Sequence, residues 1–230
     1  MLLLILDIIL PTITHIINFS LFSGQFPTSW KLADVIPLPK SKNPSQPSDF
    51  RPISILPVLS KVLERAALEQ ITEYSTTYSL LHPNQSGFRP GHSTTTALLK
   101  VTDDIFHKMD EQKVSILILL DFSSAFDCVD HQILLAKLKV LGFSMSAVAW
   151  ISSFLSGRKQ RVIQSDSVSG WVDVAAGVPQ GSILGPPFFT FFINELWPPE
   201  VLILPPLCRR SPDLRLLPSL RFEFDYSSLE

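Results

Sequence analysis

The chain has 230 residues and a net charge of −2; 46% of it is hydrophobic and only 17% charged. This balance excludes a disordered chain and supplies the core of one large domain or two small ones. The lack of a basic excess counts against a self-sufficient polynucleotide binder, and the two cysteines, Cys128 and Cys208, make neither a disulfide framework nor a zinc site.

The first residues, Met1–Leu10, are apolar. Asp7 interrupts them, no Lys or Arg precedes them, and His15 and Asn18 spoil the run of roughly 20 apolar residues that a spanning helix needs. Residues 1–22 therefore read as an apolar N-terminal helix packed on a domain, with no membrane partner expected. Residues 23–57 are rich in Pro and Ser. Within them Val35–Pro39 reads as a short edge strand, because proline cannot donate to a ladder. Residues 40–49 read as a polar turn. Ser60 is placed to cap a helix carrying Val62, Leu63, Ala66, Ala67, Leu68 and Ile71 on its apolar side. Residues 79–92 are loop. Thr94 or Thr95 then opens a helix with Leu98, Leu99, Val101, Ile105 and Phe106 along one side.

Val114–Leu120 is a nearly continuous apolar run, which suits a strand buried on both faces. Asp121 follows at once. Asp130 is placed to cap a helix through Ile133, Leu134, Leu135, Leu138 and Leu141, and Gly142 to end it. Another helix is expected over 144–155, and a hairpin from Gln160–Ile163 and Trp171–Ala175. A Gly/Pro loop spans Gly177–Gly185, with helix over 183–196. The fold class is α+β. The two cysteines read as free thiols in a reducing, intracellular compartment, cytoplasm or nucleus.

Four groups of residues carry candidate chemistry. Asp121 sits at a strand end, where a sheet can present it to a cleft; it reads equally as a cap at a strand-to-helix turn. Asp127 and Asp130 lie close by, and hard cations take such oxygen ligands, although Asp130 reads better as a cap. Gln180 stands between Pro179 and Gly181 on a stiff turn, where glycine permits close backbone approach. The loop Gln85-Ser86-Gly87-Phe88-Arg89 precedes a helix N-terminus, a plausible anion site. Lys40 and Arg51 each flank a proline and can hold a phosphate.

In order and spacing these pieces form a set: WKLADVIPLPK (Trp30–Lys40), DFRPISILPVLSKVLER (Asp49–Arg65), QSGFRPGHSTTTAL (Gln85–Leu98), LLDFSSAFDCVDH (Leu119–His131) and GVPQGSILGP (Gly177–Pro186). The set resembles the reverse transcriptases of non-LTR (LINE-type) retrotransposons over residues 15–196. The resemblance implies an RNA-directed DNA polymerase with a right-hand fold of fingers, palm and thumb, of which residues 23–196 would be fingers and partial palm. It implies that Asp121 is the first catalytic aspartate, binding two Mg2+ ions, with the Phe122 carbonyl in the metal shell. Phe126 would be the steric gate against a ribose 2′-hydroxyl. Gln180 and Gly181 would contact the incoming nucleotide, Lys40 and Arg51 the triphosphate, and Gln85, Gly87, Phe88 and Arg89 the template path. The implied partners are an RNA template, a DNA primer and dNTPs.

The family then requires Tyr/Phe-Ala-Asp-Asp, whose aspartates complete the metal site. Here the segment reads Leu207-Cys208-Arg209-Arg210, and no Asp-Asp pair follows Asp127. Encoded as CTA TGC CGA CGA TCN, these residues and Ser211 read one frame over as Tyr-Ala-Asp-Asp. Residues 197–230 are therefore expected to be a frameshifted, poorly ordered tail. The metal site would be incomplete and the chain inactive as written, leaving an alternative as a non-catalytic RNA- or nucleotide-binding remnant.

Overall fold

The computed structural model describes residues 6–117, 119 and 121–196. Met1–Asn194 form one unit and Glu195–Glu230 a second. The tail read as frameshifted, 197–230, lies outside the described residues.

The N-terminal apolar segment forms helix α1 (Leu6–Ser23), with Pro11 inside it. Its end is tied down by side chains: Trp150 Nε1 donates to Ser20 Oγ at 3.0 Å, and Ser20 Oγ donates to the Gln25 carbonyl at 2.6 Å. Its outer face stays apolar and open, and Phe22 is 90% exposed. No helix among the described residues is long and apolar enough to cross a membrane.

The sheet is built from β1 (Leu32–Pro39), β2 (Phe50–Ile55) and β3 (Lys159–Gln164), in the order β2-β1-β3, with short β4 (Ser167–Val168) and β5 (Val172–Asp173) on β3. Strand β1 lies between β2 and β3, but beyond Val35 it pairs with β2 alone, so the segment read as an edge is one over Ile36–Pro39. The register explains how its prolines are tolerated. β3 pairs in parallel with Leu32–Val35 only, and Pro37 lies opposite Pro52 of antiparallel β2. The missing donors thus face each other at one rung, beyond the reach of β3. Alternation along β1 buries Ala33 and Val35, and the Asp34 carboxylate meets Arg161 Nε of β3 at 2.7 Å. The expected hairpin is present as β3 with β5.

Helix α2 (Val58–Thr77) starts at Pro57 without a side-chain cap. Ser60 lies inside the first turn and bonds Glu64 instead, a correction to its reading as the cap. Helix α4 (His131–Val140) is capped by Asp130, whose Oδ1 accepts the Gln132 and Ile133 amides at 2.8 and 3.0 Å. Gly142 follows it at φ +84°, the left-handed conformation glycine adopts at helix ends. Helix α5 (Met145–Leu155) is capped by Ser144, and α6 (Gly185–Ile193) follows the Gly/Pro loop. The core lies among these helices. Phe154, fully buried, packs edge-on against Phe26 at 5.1 Å and Phe188 at 5.9 Å, with Leu63, Leu134, Leu138, Ile151 and Leu184 around them.

Two expectations fail together. Helix α3 (Thr94–Asp110) is capped by Ser93, as its Thr-rich start suggests, but buries none of its residues. The expected buried strand at Val114–Leu120 is absent: its described residues have no regular structure, and Val114 is 90% and Leu119 84% exposed. An apolar run becomes a doubly buried strand only when strands flank it and layers cover it. Among the described residues no strand pairs with this segment. The mixed α+β class holds, with the sheet formed elsewhere than around Asp121. The expectation of two free thiols rests in part on Cys208, which lies outside the described residues.

Candidate functional site

The loop Gly177–Gly185 is the centre of the candidate site, because three parts of the chain close on it. At its start, the Gly177 amide donates to the Val129 carbonyl at 2.8 Å and the Val178 amide to the Phe126 carbonyl at 2.9 Å. A Cβ on Gly177 would lie 2.8 Å from Asp127 Cα and 2.9 Å from the Phe126 carbonyl oxygen, so only glycine fits. In the middle, the Ser54 amide on β2 donates to the Gln180 carbonyl at 2.7 Å, and a Cβ on Gly181 would lie 2.7 Å from the Ser54 carbonyl oxygen. At its end, the Glu64 carboxylate on α2 accepts the Ile183 amide at 2.7 Å and the Leu184 amide at 3.3 Å.

Aromatic rings tie three further sequence candidates to this loop. Phe126 contacts Phe88 at 6.1 Å and Phe189 of α6 at 5.3 Å, and Phe122 meets Phe189 at 6.4 Å. Phe122 is thus anchored by its ring, while its neighbour Asp121 stays exposed. Phe88 adopts φ +56° and is 61% exposed, so its ring leans on Phe126 from outside. Gln85 is buried and its amide donates to the Gly87 carbonyl at 3.3 Å, which holds the turn rather than facing solvent. Arg89 donates to the His82 carbonyl at 3.2 Å and, with Phe88, borders a cavity of about 280 Å³ between α2 and α6.

The cations come from the strand pair. Lys40 directly follows β1 and Arg51 lies on β2, both exposed, and the register places residue 39 opposite residue 50. The Lys40 ammonium donates to the Ser48 carbonyl at 2.8 Å. Crowding by protein raises the Asp127 carboxyl above its usual range, and the positive charge of Lys40 opposes that rise. Desolvation exceeds attraction here, so Asp127 and Lys40 are electrostatic neighbours but not a close ion pair.

The three aspartates do not assemble a two-ion site. Asp130 is engaged as the α4 cap, and among the described residues no group of three or more His, Cys, Asp or Glu side chains converges to hold a metal. Among the described residues these groups alone do not supply the oxygen ligands that two Mg2+ ions take.

The structure also identifies residues that sequence reasoning passed over. Glu64 is fully buried on the stripe Ser60, Leu63, Ala67, Ile71. A carboxylate at helical spacing on an apolar stripe is itself a signal, since such groups are rarely buried without partners. His131 opens α4, and its Nε2–H donates to the Gly177 carbonyl at 2.7 Å. Phe189 carries no such signal, because it is one of several phenylalanines in a helix that is apolar all round.

Residues 38–199 match the family model described as reverse transcriptase (RNA-dependent DNA polymerase). The RNA-directed DNA polymerase from mobile element jockey of Drosophila melanogaster is 35% identical over 182 residues, 79% of this chain and 20% of that protein. A Drosophila melanogaster protein described as a probable RNA-directed DNA polymerase from transposon BS is 35% identical over 172 residues, 74% of this chain and 19% of its own length. Another, from transposon X-element, is 34% identical over 190 residues, 82% of this chain and 21% of its own length. The chain spans about a fifth of the length of these relatives. Matched by that family model over residues 38–199 and by these relatives over most of its length, the chain belongs to the reverse transcriptase family, as a reverse transcriptase domain of the non-LTR retrotransposon type.

Proposed function

We propose that residues 23–196 form the fingers and part of the palm of an RNA-directed DNA polymerase, and that this chain does not polymerise with the sequence it carries. The observation that carries the reading is the docking of Gln180–Gly181 on β2 at Ser54, 2.7 Å from amide to carbonyl. It supports a nucleotide-facing surface on which Gln180, Arg51 and Phe126 act together. Phosphoryl transfer depends chiefly on positioning and charge neutralisation. In that role Lys40 and Arg51 offset a triphosphate's charge, Phe126 limits room beside the sugar, and Asp121 faces the reacting end. RNA template, DNA primer and dNTP are the corresponding partners, and Mg2+ the ion of an intact site.

Inactivity rests on Leu207-Cys208-Arg209-Arg210 standing where the family carries its Asp-Asp pair. The proposed one-base frameshift lies between about residues 196 and 207. What supports it is that the family match stops at residue 199. Gene sequence with codons incompatible with the shifted reading overturns that account.

Primer extension on an RNA template with Mg2+, comparing this chain with Asp121→Asn, tests the proposal. No extension from either is the expected result. Extension that disappears in the variant means that another carboxylate completes the site and that the chain is active. A second reading, non-catalytic RNA binding, is favoured by the exposed Lys40 and Arg51. It requires binding that weakens as salt rises, because phosphate contacts release counterions.

A further inference from the structure

We propose that Glu64 and His131 are positioning residues that clamp the Gln180–Gly181 turn from its two ends. The proposal builds on the nucleotide-facing reading above, but its first readout does not depend on it.

The hydrogen bonds at the start of α6 show why the turn needs outside help. The first four amide groups of a helix lack internal partners. In α6 these belong to Leu184, Gly185, Pro186 and Pro187, and the two prolines carry no N–H. The Gly185 amide is met by Ser182 Oγ at 3.0 Å, a hydroxyl that itself donates to the Pro179 carbonyl at 2.8 Å. The Leu184 amide, and the Ile183 amide before it, are met only by Glu64. One carboxylate oxygen therefore serves the two amides that Ser182 and the prolines leave over. Because Ile183 lies two residues after Gly181, it also sets where the turn leaves β2.

The carboxylate is held in turn. Ser60 Oγ, one helical turn earlier, donates to Glu64 Oε1 at 2.8 Å, which leaves Oε2 aimed at the two amides. Glu64 is fully buried and Arg158 is 2% exposed. Arg158 uses one guanidinium nitrogen on the Phe154 carbonyl at 2.9 Å and lies over the Phe154 ring at 4.8 Å. The negative charge of Glu64 is the attraction that opposes desolvation of this arginine. A charged acceptor in a dry site makes stronger bonds than a neutral one, which suits a device that must fix a loop. At the other end, His131 Nε2–H reaches the Gly177 carbonyl at 2.7 Å, while the Gly177 amide is held by the carbonyl of Val129, two residues before His131. Both clamps act through backbone groups, so Gln180 keeps its side chain free of them.

Amide hydrogen exchange on the full chain tests the clamp. In Glu64→Gln, which keeps size and one acceptor but removes the charge, exchange at Ile183 and Leu184 accelerates by about tenfold or more. Exchange in β1–β3 stays within about twofold on the same scale. Unchanged exchange at Ile183 and Leu184 overturns the proposal, and so does an increase spread evenly over the chain, which marks Glu64 as Arg158's counter-charge alone. Should Glu64→Gln fail to fold, Ser60→Ala gives the same local pattern at smaller size; no local change there overturns the proposal. His131→Ala independently speeds Gly177 and Val178 while leaving Ile183 and Leu184 protected. Titration with a deoxynucleoside triphosphate and Mg2+ then separates this inference from the function above. Weaker binding by the clamp variants than by the wild type supports both. A wild-type chain that binds no nucleotide refutes the nucleotide-facing reading, while the exchange pattern still decides the clamp.

Discussion

Asp127 carries a carboxyl whose environment favours the proton. Crowding by protein lifts its pKa and Lys40 only partly offsets the lift. A carboxyl raised in the folded state binds its proton more tightly there than when unfolded. Its contribution to stability is thus complete below the ordinary aspartate range and is lost as pH rises through the raised folded value. Asp49 has the opposite sign, because the Ser45 and Gln46 amides donate to it and lower its pKa. Asp127→Asn removes the first effect and leaves the second. Urea midpoints at about pH 3 and pH 7 therefore diverge, the variant gaining on the wild type as pH rises. A midpoint difference that does not change with pH contradicts this. Because Asp127 is exposed as a residue, the gain is small.

Between elements, the tightest constraint is the passage of the Gly177 backbone over the segment Phe126–Val129. A Cβ there meets three backbone atoms closer than 3.0 Å, and φ is +87°. Backbone cannot swing aside as a flexible side chain does. Gly177→Ala therefore costs about 1–3 kcal/mol of stability by conformational strain alone, and the overlap adds to it. Urea unfolding measures the cost; a loss within about 0.5 kcal/mol, the range of an ordinary surface change, shows that the loop moves off the segment. The same contact explains why Phe126 and Gln180 lie in one region although 54 residues separate them in sequence. One glycine and two ladder-like hydrogen bonds join them, and α4, α5 and β3 to β5 fill the interval.

Across the molecule, apolar surface is unevenly covered. The core among α2, α4, α5 and α6 is tight, whereas the stretch from α3 to Leu119 offers Leu98, Leu99, Phe106, Val114 and Leu119 to solvent. Soluble monomers rarely expose contiguous patches of this kind. Self-association that grows with concentration is the expected behaviour in sedimentation velocity, and Leu98→Glu with Phe106→Glu reduces it. Identical sedimentation of wild type and double variant at every concentration places the association elsewhere. The same stretch contains the apolar run whose strand does not form, so one deficiency accounts for both: partner strands and covering layers are missing among the described residues.

What the sequence determined by itself is local or additive. Asp130, Ser144 and Gly142 stop and start helices through bonds within a few residues, and they stand where their residue types imply. The ordered motifs identified the family, because residue types at matched spacing survive without any view of the fold. What only the tertiary structure decided depends on partners distant in sequence. The run Val114–Leu120 has a strand's composition, but among the described residues no strand pairs with it. Val35–Pro39 reads as an edge from its prolines, and beyond Val35 it does pair with β2 alone, but that the earlier residues of the same strand carry β3 on their other side is settled only in the fold. Ser60 reads as a cap until Glu64, four residues on, is seen to accept its hydroxyl and to hold amides 119 and 120 residues further along the chain. Burial and pairing energies belong to surfaces brought together by the whole chain, so no window of sequence contains them.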